Sequence, residues 1–181
     1  MAKAVIKGLD EAIDEIFNDY KNATKKAAQE ATEKAKNDLY ANAVSCLVAY
    51  YDDYNPTSYE RTYSLIDSFV PYAKELQEVK DGFICAAGVI FDESKIQGIY
   101  SGSMTYGLTD AEWIISNFLA GIHPRTDGSP IIGGGNYEEE KYQGSFIPER
   151  EMKKYIDGYH SIFDSHFRRA ISKQILRKVR R

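Results

Sequence analysis

Seven basic side chains crowd the C-terminal 18 residues of this chain: Arg168, Arg169, Lys173, Arg177, Lys178, Arg180 and Arg181, against the single acid Asp164. That segment carries +6, which leaves −10 on residues 1–163 of a chain whose formal charge is −4. Cations at this density can neutralise phosphates, with an affinity that falls as salt rises. They equally fit an acidic surface on a neighbouring subunit, and basic residues in the last turns of a helix complement its negative end. Arg168, Arg169, Lys173, Arg177 and Lys178 are therefore the candidate contacts to a phosphate or an acidic partner. No aromatic residue follows Phe167 to stack on a base, and the acidic body repels phosphate, so the pattern favours the protein partner over nucleic acid.

Other chemistry is thinly represented. His160 and His166 are six residues apart, about 240° around a helix, and so face different directions. His160 and Asp164 share a helical face but supply only two metal ligands, so no metal is expected. No serine sits in a G-x-S-x-G turn. Gly133-Gly134-Gly135 lacks the lysine and the strand-to-helix setting of a phosphate loop and reads as a hinge or loop tip. Glu138, Glu139 and Glu140 read as a solvated patch, because carboxylate catalysis needs a pair held in an enclosed site. Cys46 and Cys85 stand alone, without the spacing of a disulfide framework or a zinc site. Neither catalytic residues nor a cofactor is expected.

Tyrosine is the second asymmetry. Fourteen tyrosines, eight phenylalanines and one tryptophan make up 13% of the chain, and tyrosine's apolar face with a polar tip suits surfaces that are wet at one time and buried at another. The same rings also pack half-exposed along helices. Tyrosines concentrate around residues 50–72 and in the last helical pattern, so Tyr51, Tyr54, Tyr59, Arg61 and Tyr63 are the expected contacts to another copy or a partner.

The elements that must carry these residues follow from periodicity. Ala4–Lys7 reads as a short strand, ended by Gly8. Leu9, Ile13, Ile16, Phe17 and Tyr20, then Ala23, Ala27, Ala28, Ala31 and Ala35, form the stripe of a long amphipathic helix whose alanine half allows a close neighbour. The signal persists to Val48 and stops at Asp52 to Pro56. A helix near 40 residues is about 60 Å long, so it either breaks near Asn37 to Asn42 or projects. Tyr59, Tyr63, Ile66 and Val70 mark a short amphipathic piece ended by Pro71. Gly82–Phe91 reads as the best strand, apolar enough for the middle of a sheet. Ile96–Gly107 reads as turns, with weak strand as the alternative. Thr109 to Glu112 opens a helix as a capping box, with Gly121 closing it. Pro148 stands at the first position of a last helix carrying Met152, Tyr155, Ile156, Tyr159, Ile162, Phe163, Phe167, Ile171 and Ile175, with Gly158 a candidate bend.

These elements predict an α+β fold: a long N-terminal amphipathic helix packed on a small, mostly antiparallel sheet, a further helix, and a long basic C-terminal helix. The expected organisation is a core over 1–125, a glycine-rich loop over 126–147 and a helical extension over 148–181. With 181 residues, 43% hydrophobic and 28% charged, the chain has the composition of a folded protein of about one domain. No apolar run is long enough to span a bilayer, and the acids near the start do not suit a signal peptide. A cytoplasmic protein without a membrane partner is expected.

The start AVIKGLDEAIDEI, a short strand, a glycine and a long helix with an alanine-rich second half, resembles the opening of the small head-tail joining or tail-completion proteins of siphophages and prophages. Asn55 to Thr62 stands where that family has a proline-containing loop, Gly82–Phe91 resembles its first core strand, and Asn117 to Pro124 resembles its aromatic-to-glycine turn. Tyr59 follows Ser58 where the family has a glycine, and the basic helix over 148–178 is longer than the family's. The resemblance implies a non-enzymatic protomer of a ring at the virion neck or tail end. Its partners would be copies of itself and phage connector or tail proteins, and its location the host cytoplasm and then the virion. The alternative is a small phage-encoded protein that binds nucleic acid or a host factor through its basic C-terminal helix.

Overall fold

A computed structural model describes residues 2–53, 64–80, 82–96, 110–122 and 146–179. In chain order these form α1 (Ala2–Asp52), α2 (Ser64–Asp67), β1 (Phe69–Val79), β2 (Gly82–Phe91), a single 3-10 turn (Glu93–Lys95), α3 (Asp110–Ala120) and α4 (Pro148–Val179). The fold is α+β: the long α1 packs on a two-stranded antiparallel hairpin, and the long basic α4 follows.

α1 is one unbroken helix of 51 residues. The expected strand at Ala4–Lys7 is helix instead, because helix propagates readily from the strong formers that follow and no strand pairs with this run among the described residues. Nor is there a break at Asn37 to Asn42. The stop at Asp52 is where the oncoming Asn55-Pro56 predicts it.

The expected amphipathic piece ending at Pro71 is also corrected. Among its described residues Ser64–Asp67 is helical, and the chain enters β1 at Phe69 with Pro71 as its third residue. Both strands of a two-stranded sheet are edges, so a proline without an N–H is tolerated there. Lys74 to Glu78 are good helix formers, which hides the strand in the sequence. β2 coincides with the expected Gly82–Phe91 but, among the described residues, pairs with β1 alone as half of a hairpin and not as the middle of a sheet: Phe83, Cys85, Ala87, Val89 and Phe91 are half-buried, while Ile84, Ala86 and Ile90 are exposed.

The chain divides into two compact units. The first comprises Met1–Lys36, Ala73–Ala87 and Tyr159–Arg181, the second Asn37–Tyr72 and Gly88–Gly158.

In the second unit, Ala43, Leu47 and Tyr50 of α1 join Leu65, Phe69 and Phe118 in one buried cluster. Phe118 is fully buried; its ring lies 5.3 Å from Tyr50, edge to face, and 5.9 Å from Phe69. The Tyr50 hydroxyl donates to the Ile122 carbonyl at 2.7 Å. The buried Ser68 hydroxyl donates to Leu65 O at 2.7 Å, and the Ser68 backbone carbonyl accepts from Asp92 N at 2.8 Å. Gly121 ends α3 as expected. With φ at +69°, it and Ile122 donate to the carbonyls of Phe118 and Asn117, the paired bonds of a left-handed helix stop. A Cβ at Gly121 would overlap the Phe146 carbonyl oxygen. Pro148 is fully buried at the first position of α4.

In the first unit the buried residues of α1 are small: Ala23, Ala27, Ala28, Ala31, Thr32 and Ala35. Thr32 satisfies its hydroxyl on Ala28 O at 2.8 Å. α4 contributes buried Tyr159 and Ala170. Lys21 and Lys25 grip Glu78 of β1 at 2.9 and 2.8 Å. Gln174 of α4 donates to Glu30 of α1 at 2.7 Å. α4 runs through Gly158 as continuous helix.

Candidate interaction surfaces

The basic residues of α4 gather along one exposed stretch of helix. Arg168, Arg169, Ser172, Lys173, Leu176 and Arg177 recur at spacings of four and one, and they border an open hollow of about 570 Å³. Its wall is largely apolar, as Leu176 and the aliphatic stems of arginine and lysine would make it. Two of the four cations are engaged within the chain: Arg168 Nε meets Asp164 at 2.7 Å, one helical turn away, and Lys173 Nζ lies 3.9 Å from Glu30. Arg169 and Arg177 make no ion pair among the described residues. The structure therefore brings four of the five expected cationic contacts to one place. Lys178 lies in the last turn of the same helix.

A second surface lies on α1. Every residue from Gly8 to Asn22 is exposed. Leu9 (59% exposed), Ile13 (53%), Ile16 (70%), Phe17 (68%) and Tyr20 (58%) line up at spacings of four, three, one and three, one face of the helix. Single exposed apolar residues are ordinary, but five on one helical face form a patch of the kind that marks an interaction site. The same segment carries Asp10, Glu11, Asp14, Glu15 and Asp19 and no base between Leu9 and Tyr20. At 100° per residue, Asp10 and Asp14 flank the apolar stripe on one side, and Glu15 and Asp19 on the other. Sequence periodicity finds the stripe but cannot say what it faces, since the alanines that continue it are buried.

Of the expected tyrosine contacts, Tyr51 is half-buried beside the core of the second unit, its ring 5.7 Å from that of Tyr50. Tyr54, Tyr59, Arg61 and Tyr63 lie outside the described residues, as do residues 126–145 of the glycine-rich segment and Thr109 of the expected capping box.

The perturbed titrating groups are explained by packing. Burial pushes the Cys46 thiol up, helped by the Glu151 carboxylate. Burial raises the Tyr155 hydroxyl too, followed by the charge of Asp38. Hydrogen bonds from Lys25 and Lys21 pull Glu78 down to about 2, and the Ser94 hydroxyl lowers Asp92. Among the described residues no cluster of histidine, cysteine and carboxylate could hold a metal ion, and no helix is long and apolar enough to cross a membrane.

Comparison with known proteins gives no match to a family model, to a curated protein or to a solved structure.

Proposed function

We propose that this chain is a non-enzymatic structural protein that works by assembling with further copies of itself. The observation behind the proposal is the exposed stripe from Leu9 to Tyr20. A helix is marginal in water unless packing supports it, and here five large apolar side chains stand outside while only alanines and a threonine are buried in the next turns. A neighbouring subunit supplies what the chain's own core does not.

The specific form of this role is the one the sequence resemblance implies, a ring protomer joining head connector and tail in a tailed phage. Its support is the order of long helix, strand pair, aromatic helix and left-handed glycine stop at Gly121; the N-terminal strand of that resemblance is helix here. Electron microscopy of the purified protein tests the role. Closed rings at micromolar concentration are the expected image, and uniformly monomeric particles at every concentration would remove the reading.

The second reading, a nucleic-acid or host-factor binder, draws on Arg169 and Arg177, which make no ion pair among the described residues. A DNA titration at rising salt tests it. Affinity that falls log-linearly with salt supports it, and no binding at low salt excludes it.

A further inference from the structure

We infer that the acidic, apolar-centred stripe on α1 of one copy docks in the basic hollow on α4 of the next. The inference rests on the assembly reading above and specifies its two faces. The first face has Leu9, Ile13, Ile16, Phe17 and Tyr20 along its middle and carboxylates down both flanks. The second has Leu176 and aliphatic stems in its wall and Arg168, Arg169, Lys173 and Arg177 around it. Apolar centre meets apolar wall, and a rim of one sign meets a rim of the other, the arrangement that fixes register between partners. The faces also match in length. Residues 9–20 rise about 18 Å along α1, and residues 168–177 about 15 Å along α4.

Two other occupants of the stripe are disfavoured by features of the chain. α1 is continuous from Ala2 to Asp52, so its first turns cannot fold back onto α4 of the same chain. Pairing of two stripes about a twofold axis would bring five acids of each copy together with no base between Leu9 and Tyr20 to offset them, and like charges in contact oppose association. A contact between two different faces of identical subunits is heterologous, and repeating it yields a closed ring or an open filament.

Charge reversal in the full-length protein tests this pairing. Sedimentation velocity of the wild type should show self-association that weakens as salt rises. Asp10→Lys with Asp14→Lys, and separately Arg169→Glu with Arg177→Glu, should each weaken self-association about 100-fold, since each sets two like charges against the facing rim. Mixing the two variants should restore pairing, because the unaltered stripe of the arginine variant still meets the unaltered hollow of the aspartate variant. A third variant, Ile16→Ser, separates this inference from the reading it rests on. If Ile16→Ser abolishes assembly while the reversed arginines leave it intact, the stripe is an interface but the hollow is not its partner, and the inference fails alone. If the arginine variant loses DNA binding yet assembles normally, the hollow belongs to nucleic acid and the inference fails. If Ile16→Ser and both charge variants assemble like the wild type, or if the wild type stays monomeric, the assembly reading fails with it.

Discussion

The two compact units are built on opposite principles. In the second, large rings are inside: Phe118 is buried against Tyr50 and Phe69, and Leu47 and Leu65 complete the cluster. In the first, α1 buries alanines and one threonine, and its large apolar residues stand in the open from Leu9 to Tyr20. Burying a large side chain contributes about 1.5–3 kcal/mol, whereas an alanine offers only one methyl group. The second unit therefore has a core sufficient to itself. The first holds its helices close through small residues, with polar ties at Glu78 and Glu30 at the margin, and leaves apolar surface available for a second chain. The difference teaches that large apolar side chains are placed in a core in one unit and left exposed in the other, which is what the proposed assembly would use.

Substitutions at matched places should expose this contrast. Phe118→Ala removes the fully buried ring of the second unit and should cost about 3–5 kcal/mol in urea unfolding. Ala31→Leu acts in the opposite sense, forcing bulk into a fully buried position of the first unit, and should cost about 1–3 kcal/mol. A neutral result there would mean that the alanine face is not closely packed and would blunt the comparison. Ile16→Ser, in the exposed stripe, should change the unfolding free energy of dilute protein by no more than about 0.5 kcal/mol, while self-association at high concentration is lost.

The smallest effect concerns Glu78. Its carboxyl is held near 2 by Lys25 and Lys21, below the ordinary carboxylate range, so the folded state favours its ionised form. The resulting stability is present above the unfolded pKa and disappears as pH falls through the folded one. Melting curves of the wild type and Glu78→Gln should therefore differ at neutral pH and converge towards pH 2. Because the pair is exposed, the difference should be slight and shrink further in high salt.

Much of this was legible in the residues, and what was not has identifiable causes. The 3.6-residue period of α1 and α4, the apolar run of β2, the glycine at 121 and the proline at 148 carry local signals strong enough to place those elements. β1 was hidden because Lys74-Glu75-Leu76-Gln77-Glu78 has helical preferences that pairing with β2 overrides. The short strand at Ala4–Lys7 was a local β preference outweighed by the helix that follows it. Within α4 the stripe itself is sharper than its sequence: Ile156, Ile162 and Ile175 are exposed, while Ala170 is buried and Gln174 half-buried against Glu30. The cations of α4 follow from charge alone, whereas Ser172 and Leu176, which share their hollow, carry no such signal. The stripe on α1 was visible as an amphipathic pattern, but its exposure depends on where the hairpin and α4 meet the helix, which is tertiary information.

Hydrogen exchange of residues 8–22, followed as protein concentration rises, tests the central claim most directly. In the monomer every side chain of this stretch is exposed, so its amides should exchange quickly, and they should become protected as assembly proceeds, while those of the Phe118 cluster stay protected throughout. Protection of residues 8–22 that is the same at every concentration would contradict the account.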